Sequence, residues 1–246
     1  MLTLFCLPYA GASAMGYARW RRSAPAWLDI RPLELPGRGS RASEPLATDL
    51  VDLAAQLARE LRGETWRPYA LFGHSMGSLL AFELACALRA QGLPPPQALL
   101  VSGGAAPGMR DYLRFRNPMS DEQLLAELGA LQGTPDEALQ DPELMRLALP
   151  VLRADFLLCG RYRFQPTAPL QCPLHVLAGS QDKACEAQLL AWRKLAAVGF
   201  SLKLFDGGHF FIQSQERAVL AHLAECLAPH APAPATRPDS HFFAKV

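Results

Sequence analysis

Residues 70–81 read ALFGHSMGSLLA, an apolar run that enters Gly73-His74-Ser75-Met76-Gly77 and leaves it directly as a helical pattern. The segment before the pentapeptide, YALF (69–72), is short, apolar and β-favouring. The segment after it repeats Leu79, Leu80, Leu84, Ala87 and Leu88 at helical spacing. A strand that becomes a helix without an intervening loop leaves no room for side chains two positions before and two positions after its apex, and both positions are glycine. Ser75, at the apex, is pushed clear of the backbone at a helix N-terminus. The N–H of Met76 there faces any negative charge that develops on an attacked carbonyl. Packing alone requires none of this, whereas a serine nucleophile does. G-x-S-x-G recurs by chance, so its weight here comes from the strand before it and the helix after it.

The same alternation continues on both sides. LTLFCL (2–7), ALLVSG (98–103), LHVLAG (174–179) and SLKLF (201–205) read as buried strands. Leu50, Leu53, Ala54, Leu57, Ala58 and Leu61 repeat at three and four, as do Leu189, Leu190, Trp192 and Leu195, then Val219, Leu220, Leu223 and Leu227. The order predicts an α/β fold with a mostly parallel sheet and helices on both faces. Residues 107–166 interrupt it, containing no convincing strand between two strong ones. Ser120 with Gln123, Thr134-Pro135-Asp136-Glu137 and Asp141-Pro142 mark helix starts there. Leu124, Leu125, Leu128 and Leu131, then Leu144, Leu147, Val151 and Leu152, give apolar faces, and Pro150 is expected to kink the last helix. This insertion is longer than a connection needs and reads as a helical lid within one domain over 1–228. Residues 229–246, rich in Pro and Ala, read as a flexible tail.

Composition narrows the function classes. Of 246 residues, 50% are hydrophobic and 19% charged, as in an ordinary soluble globule. The 24 basic and 23 acidic residues leave a formal charge of +1, so no long-range field is present to hold nucleic acid or an anionic membrane. No apolar run reaches bilayer-spanning length. The opening MLTLFCLPYAGASAM has no Lys or Arg before its apolar run and is interrupted by Pro8, so it reads as a first strand rather than a signal peptide. Cysteines at 6, 86, 159, 172, 185 and 226 form no CxxC pair, which points to reduced thiols and a cytoplasmic protein. No two histidines have metal-ligand spacing with a third ligand nearby, so no zinc site is expected.

A serine at its ordinary pKa needs a base. His209, in LFDGGHFFI, follows a strand on a Gly207-Gly208 turn that swings an imidazole over the sheet edge. His74 belongs to the elbow and His175 to a strand, while His222, His230 and His241 lie on the last helix and tail. Asp182, in the loop after LHVLAG, is the favoured acid, completing the chain order Ser, Asp, His. Asp111 and Asp206 are rivals, Asp206 being better suited to shaping a turn, and Asp155 reads as a residue of a lid helix. The loop LPYAGAS (7–13) is rich in small residues, and the N–H of Ala10 is assigned as the second oxyanion donor beside that of Met76.

Taken together, FCLPYAGAS, LELPGRGSR (33–41), FGHSMGSLLAFELA (72–85), LRADFLLCGRYRF (152–164) and GGHFFI (207–212) resemble the type II thioesterases that accompany nonribosomal peptide and polyketide synthetases. The resemblance covers residues 2 to about 228 in order and spacing. It implies a stand-alone, monomeric cytosolic α/β hydrolase that removes wrong or stalled acyl groups from the phosphopantetheine arm of carrier domains. Ser75, Asp182 and His209 match its catalytic residues, and Ala10 and Met76 its oxyanion donors. Many members have paired glycines where this chain has Gly11-Ala12, and a second aspartate or a valine near the acid where it reads SQDKAC. A general carboxylesterase would use the same triad and is the alternative. Arg19, Arg21 and Arg22, with Arg110, Arg114 and Arg116, are candidates for meeting an acidic carrier domain.

Overall fold

The computed structural model describes residues 1–111 and 113–231. Of the expected tail, residues 232–246 lie outside the described residues, as does His241. Six strands form one sheet: β1 (Leu2–Leu7), β2 (Leu28–Pro32), β3 (Tyr69–His74), β4 (Leu99–Ser102), β5 (Leu174–Gly179) and β6 (Phe200–Phe205). Their order is β2-β1-β3-β4-β5-β6, and every neighbouring pair is parallel. The α-helices are α1 (Trp20–Ser23), α2 (Leu50–Glu60), α3 (Met76–Ala90), α4 (Asp121–Leu131), α5 (Asp136–Leu139), α6 (Pro142–Arg161), α7 (Glu186–Leu190), α8 (Phe211–Ser214) and α9 (Glu216–Leu227).

The continuous apolar strands follow from burial on both faces. Along β1, Phe5 and Leu7 pack with α2 and α3 on one side of the sheet, while Leu2, Leu4 and Cys6 pack with α1 and α9 on the other. Leu71 and Phe72 of β3 part in the same way. Successive side chains point to opposite faces, so a strand covered twice shows no polar alternation. β2 goes unread in the sequence because it is an edge strand of the other kind. Leu28 and Ile30 are buried, while Asp29 and Arg31 alternate with them and form an ion pair on the half-covered side. Period-two alternation over LDIRP was the available signal.

Among the described residues, the chain between β4 and β5 holds helices and turns but no strand. The Ser120–Gln123 capping box forms, and Asp141 caps α6 through the N–H groups of Glu143 and Leu144. α6 continues through Pro150 as one element of 20 residues, with Pro150 donating no hydrogen bond to the preceding turn. Phe115, Leu124, Leu128, Met145, Leu149, Leu152 and Phe156 make a small core of their own, separate from the two clusters on the sheet.

The order places β1 between β2 and β3, so the chain leaves β1 toward one side and returns on the other. Loops diverge at such a switch point and open a crevice above the carboxyl ends of the strands. The loop after β1 and the turn after β3 both lie there.

Candidate active site

The turn after β3 is as tight as the pentapeptide requires. A Cβ on Gly73 would stand 1.9 Å from the carbonyl oxygen of Gly77, and one on Gly77 would stand 2.3 Å from that of Leu7. The second clearance matters beyond the turn, because it lets the end of β1 lie against the start of α3. Ser75 itself has φ 56° and ψ −114°, a conformation that costs a non-glycine residue about 1–3 kcal/mol. Its N–H donates to the Ser102 carbonyl at 2.8 Å, tying the apex to β4.

The base arrives by a similar approach. A Cβ on Gly179 would collide with the carbonyl oxygens of Gly207 and Gly208, so the end of β5 and the turn after β6 are in direct contact. Gln181 N–H then donates to the Gly207 carbonyl at 3.0 Å. These contacts bring Asp182 and His209 together, with His209 Nδ1 lying 2.9 Å from Asp182 Oδ2 and Nε2 lying 2.9 Å from Ser75 Oγ. The carboxylate partner places the ring proton on Nδ1 and leaves Nε2 free to accept from the serine hydroxyl. Burial pushes the Asp182 carboxyl up, but the hydrogen bond from His209, the charge that ring can carry and the Lys183 N–H at 2.7 Å outweigh it and hold the carboxyl below its ordinary value.

Among the described residues, the N–H groups of Ala10 and Met76 donate to no protein acceptor. No hydrogen bond among the described residues joins either rival aspartate to His209: Asp111 lines the same hollow as Ser75 and His209 but accepts from Leu113 N–H in a local turn, and Asp206 is exposed. His74 is fully buried beneath the site, its Nδ1 3.0 Å from Ser102 Oγ and its ring centroid 5.0 Å from that of His209. Burial, with His209 and Arg110 nearby, pushes its pKa well down, so it stays neutral. His175 finds Ser201 Oγ at 2.7 Å within the sheet.

Arg110 departs from the surface role read for it. It turns inward, with Nη2 2.6 Å from Ser78 Oγ, Nη1 3.2 Å from the Ser75 carbonyl and Nε 2.6 Å from the Ala105 carbonyl. It therefore braces the elbow. Arg114 pairs with Glu127, Arg21 donates to the Ile30 carbonyl, and Arg19, Arg22 and Arg116 are exposed.

Asp155 is the residue whose setting the sequence reading missed. It lies on α6 but is completely buried, receiving Arg38 and the N–H of Gly11. The motifs that hold it, PGRG and RADF, are 117 positions apart, and only a contact across the fold relates them.

Ser75 and His209 open into a hollow of about 370 Å³ whose far walls include Arg110, Phe115, Leu131 and Phe156. A second, smaller hollow of about 240 Å³ lies behind the loop after β1, between Tyr9, Phe210 and the faces of α4 and α6. Among the described residues, no group of three His, Cys, Asp or Glu side chains is placed to hold a metal ion, and no helix is long and apolar enough to cross a membrane.

A parallel sheet carrying a strand–serine–helix elbow, with histidine and aspartate from later loops meeting it at the carboxyl edge, defines an α/β hydrolase of the serine type. The chain belongs to the thioesterase domain family, whose model matches residues 2–227, and with it to the serine hydrolases that act on thioesters. It is 36% identical over 227 residues to the gramicidin S biosynthesis protein GrsT of Aneurinibacillus migulanus, covering 92% of this chain and 89% of that one. Among solved structures it resembles RedJ, a thioesterase from the prodiginine pathway of Streptomyces coelicolor, at 36% identity and TM-score 0.84, covering 91% and 85% of the two chains. It also resembles BorB, a type II thioesterase from the borrelidin cluster, at 38% identity and TM-score 0.83 over 92% of each chain.

Proposed function

We propose that this chain is an editing, type II thioesterase that hydrolyses aberrant or stalled acyl and aminoacyl thioesters from the phosphopantetheine arm of carrier domains in nonribosomal peptide or polyketide biosynthesis. The observation that carries the reading is the continuous contact from Ser75 through His209 to Asp182, open to a hollow large enough for an acyl group, in a chain of this family.

His209 Nε2 takes the Ser75 proton as Oγ attacks the thioester carbonyl carbon, and the N–H groups of Ala10 and Met76 receive the oxyanion. When the C–S bond breaks, the pantetheine sulfur takes the proton from His209 and leaves. A water that gives its proton to the same nitrogen then attacks the acyl-serine, and the C–O bond breaks with return of the proton to Ser75. Asp182 keeps the imidazole in the required tautomer and faces the positive charge it acquires between steps. A thioester lacks amide resonance and has a good leaving group, so the scheme calls on no metal or cofactor, and the phosphopantetheine belongs to the substrate.

Residues 107–166 act in this reading as a lid, supported by the separate small core of the helical layer and by its residues along the wall of the hollow. Hydrogen exchange as slow in α4–α6 as in the sheet would remove that part. The partner is a carrier domain, and the enzyme acts as a monomer in the cytoplasm.

The test is hydrolysis of an acetyl group from a phosphopantetheinylated carrier domain, beside acetyl-CoA and p-nitrophenyl acetate, by wild type and Ser75→Ala. Strong preference for the carrier thioester with loss of turnover in the variant is expected. Preference for the oxygen ester would make the protein a carboxylesterase, and serine-independent turnover would overturn the mechanism.

A further inference from the structure

The loop that presents the Ala10 N–H is tied at Tyr9, whose ring packs against His74 and Phe210 and whose hydroxyl accepts from Gln213, but it has little backbone bonding of its own. It follows β1 without helix or strand of its own through residue 12, and among the described residues its one internal backbone hydrogen bond runs from Ala12 N–H to the Tyr9 carbonyl at 3.0 Å. A donor aimed at a developing charge is effective only if it is fixed before the charge appears.

The structure supplies an anchor from above. Asp155 Oδ2 accepts the N–H of Gly11, the residue next to Ala10, at 2.8 Å. The same carboxylate is gripped at both oxygens by Arg38, whose Nη1 lies 2.5 Å from Oδ2 and whose Nη2 lies 2.7 Å from Oδ1. Arg38 Nη1 also reaches the Ala12 carbonyl at 3.3 Å, so the loop is held at its N–H by the acid and at its C=O by the base. Gly11 sits at φ 79°, and a Cβ there would stand 2.5 Å from Leu152 Cδ2 of the same helix, so loop and helix are in direct contact.

Both charges are withdrawn from water, with Arg38 7% exposed and Asp155 0% exposed. Arg38 Nε is buried with no acceptor among the described residues. Gly37 and Gly39, at φ 80° and 50°, flank the arginine in the turn that directs it inward. A buried ion pair is seldom the most stable way to fill a site, since apolar residues of similar volume commonly do as well or better. Its directional hydrogen bonds to Gly11 and Ala12 are something apolar residues cannot reproduce.

We propose that Asp155, locked by Arg38, is a positioning residue for catalysis: it fixes the loop of residues 9–12 so that the Ala10 N–H is held ready for the oxyanion, and it makes that readiness depend on the seating of α6. This deepens the thioesterase reading and rests on it. Asp155 touches neither substrate nor Ser75, and its effect passes through the Gly11 N–H.

The experiment separates positioning from mere stability. Arg38→Met/Asp155→Leu replaces the pair with apolar side chains and leaves Gly11 N–H without an acceptor. Arg38→Met/Asp155→Asn removes the charges but keeps an amide oxygen in reach. Circular dichroism and thermal unfolding establish the folded fraction. Acylation rate, kcat and KM are then measured on acetyl-CoA, with active serine titrated by a fluorophosphonate so that the rates refer to competent enzyme. The expected result is a fall in kcat of about 10- to 100-fold with KM little changed for the Met/Leu protein, and a clearly smaller fall for the Met/Asn protein. Wild-type kcat in folded Met/Leu enzyme, or equal losses in the two, would overturn the proposal. Should the Met/Leu protein not fold, Arg38→Lys carries the test, since an ammonium cannot take both carboxylate oxygens and the Ala12 carbonyl together. Several-fold lower kcat supports the assignment, and unchanged kcat defeats it. Turnover that survives Ser75→Ala would instead break the underlying mechanism, a distinct outcome.

Discussion

The floor and the roof of this site are built on different principles. The floor, where β3 meets α3 and β5 meets the turn after β6, is set by backbone pressed against backbone at positions where no side chain fits. The roof, made of α4, α5 and α6, shares a small apolar core with Phe115, has one close backbone approach where Gly160 of α6 meets the Phe115 carbonyl, and reaches the catalytic loop through a buried carboxylate. The floor holds the reacting groups within hydrogen-bond distance of one another without any movement. The roof is a small helical assembly that touches the catalytic loop through Leu152 and holds it with hydrogen bonds that can be removed one at a time.

The largest effect expected from breaking the floor is chemical. Ser75→Ala or His209→Ala should reduce kcat for thioester hydrolysis by at least roughly 10⁴-fold with the fold intact, measured on acyl-CoA after confirming unchanged unfolding midpoints. Asp182→Asn should follow, costing about 10²- to 10⁴-fold, because the amide can stabilise the wrong imidazole tautomer while leaving the geometry alone. An Asp182→Asn enzyme with wild-type kcat would move the acid elsewhere.

The sharpest structural contrast uses the same substitution on both sides. Gly77→Ala puts a methyl group against the Leu7 and Pro8 carbonyls and should destabilise by about 2–4 kcal/mol in urea unfolding. Gly129→Ala, on α4 with open space around it, should stabilise by about 0.5–1 kcal/mol through helix propensity alone. Equal effects at the two sites would erase the distinction between floor and roof.

The pH dependence of stability tests burial on the floor without a substitution. His74 is held neutral in the fold by burial, and burial pushes His175 down to about 4. Below the ordinary histidine pKa near 6.5 the unfolded chain takes up protons at these positions that the folded chain does not, so stability falls as pH falls. The loss is on the order of 1 kcal/mol per histidine at pH 5.5. Urea unfolding at pH 7.5 and 5.5 should show it, with a shallower drop in His175→Gln.

The features legible in the sequence share one property: the residues that define them are neighbours in the chain. The elbow is five consecutive residues, the Ser120 and Asp141 helix starts are each set within three positions, and strands β1, β3, β4 and β5 announce themselves as largely apolar runs, whereas β6, read as buried, is a half-covered edge strand with Lys203 and Leu204 exposed. Ser75, Asp182 and His209 were readable because each ends a strand of a parallel sheet, and such a sheet brings all its carboxyl ends to one edge. β2 was harder, an edge strand whose polar half is only partly covered.

What the sequence could not state were the relations made across the fold. Arg110 has the local look of a surface charge, and only the closing of its loop over the elbow shows it bound to Ser75 and Ser78. Asp155 has the local look of an exposed helical acid, yet Arg38 and Gly11, 117 and 144 positions away, claim its oxygens. The sequence by itself determined the local elements and the kind of chemistry at their ends, because backbone sterics and side-chain period act over a few residues. The tertiary structure decided which charges are buried and what they hold, because burial and hydrogen-bond partners exist only once distant segments have packed.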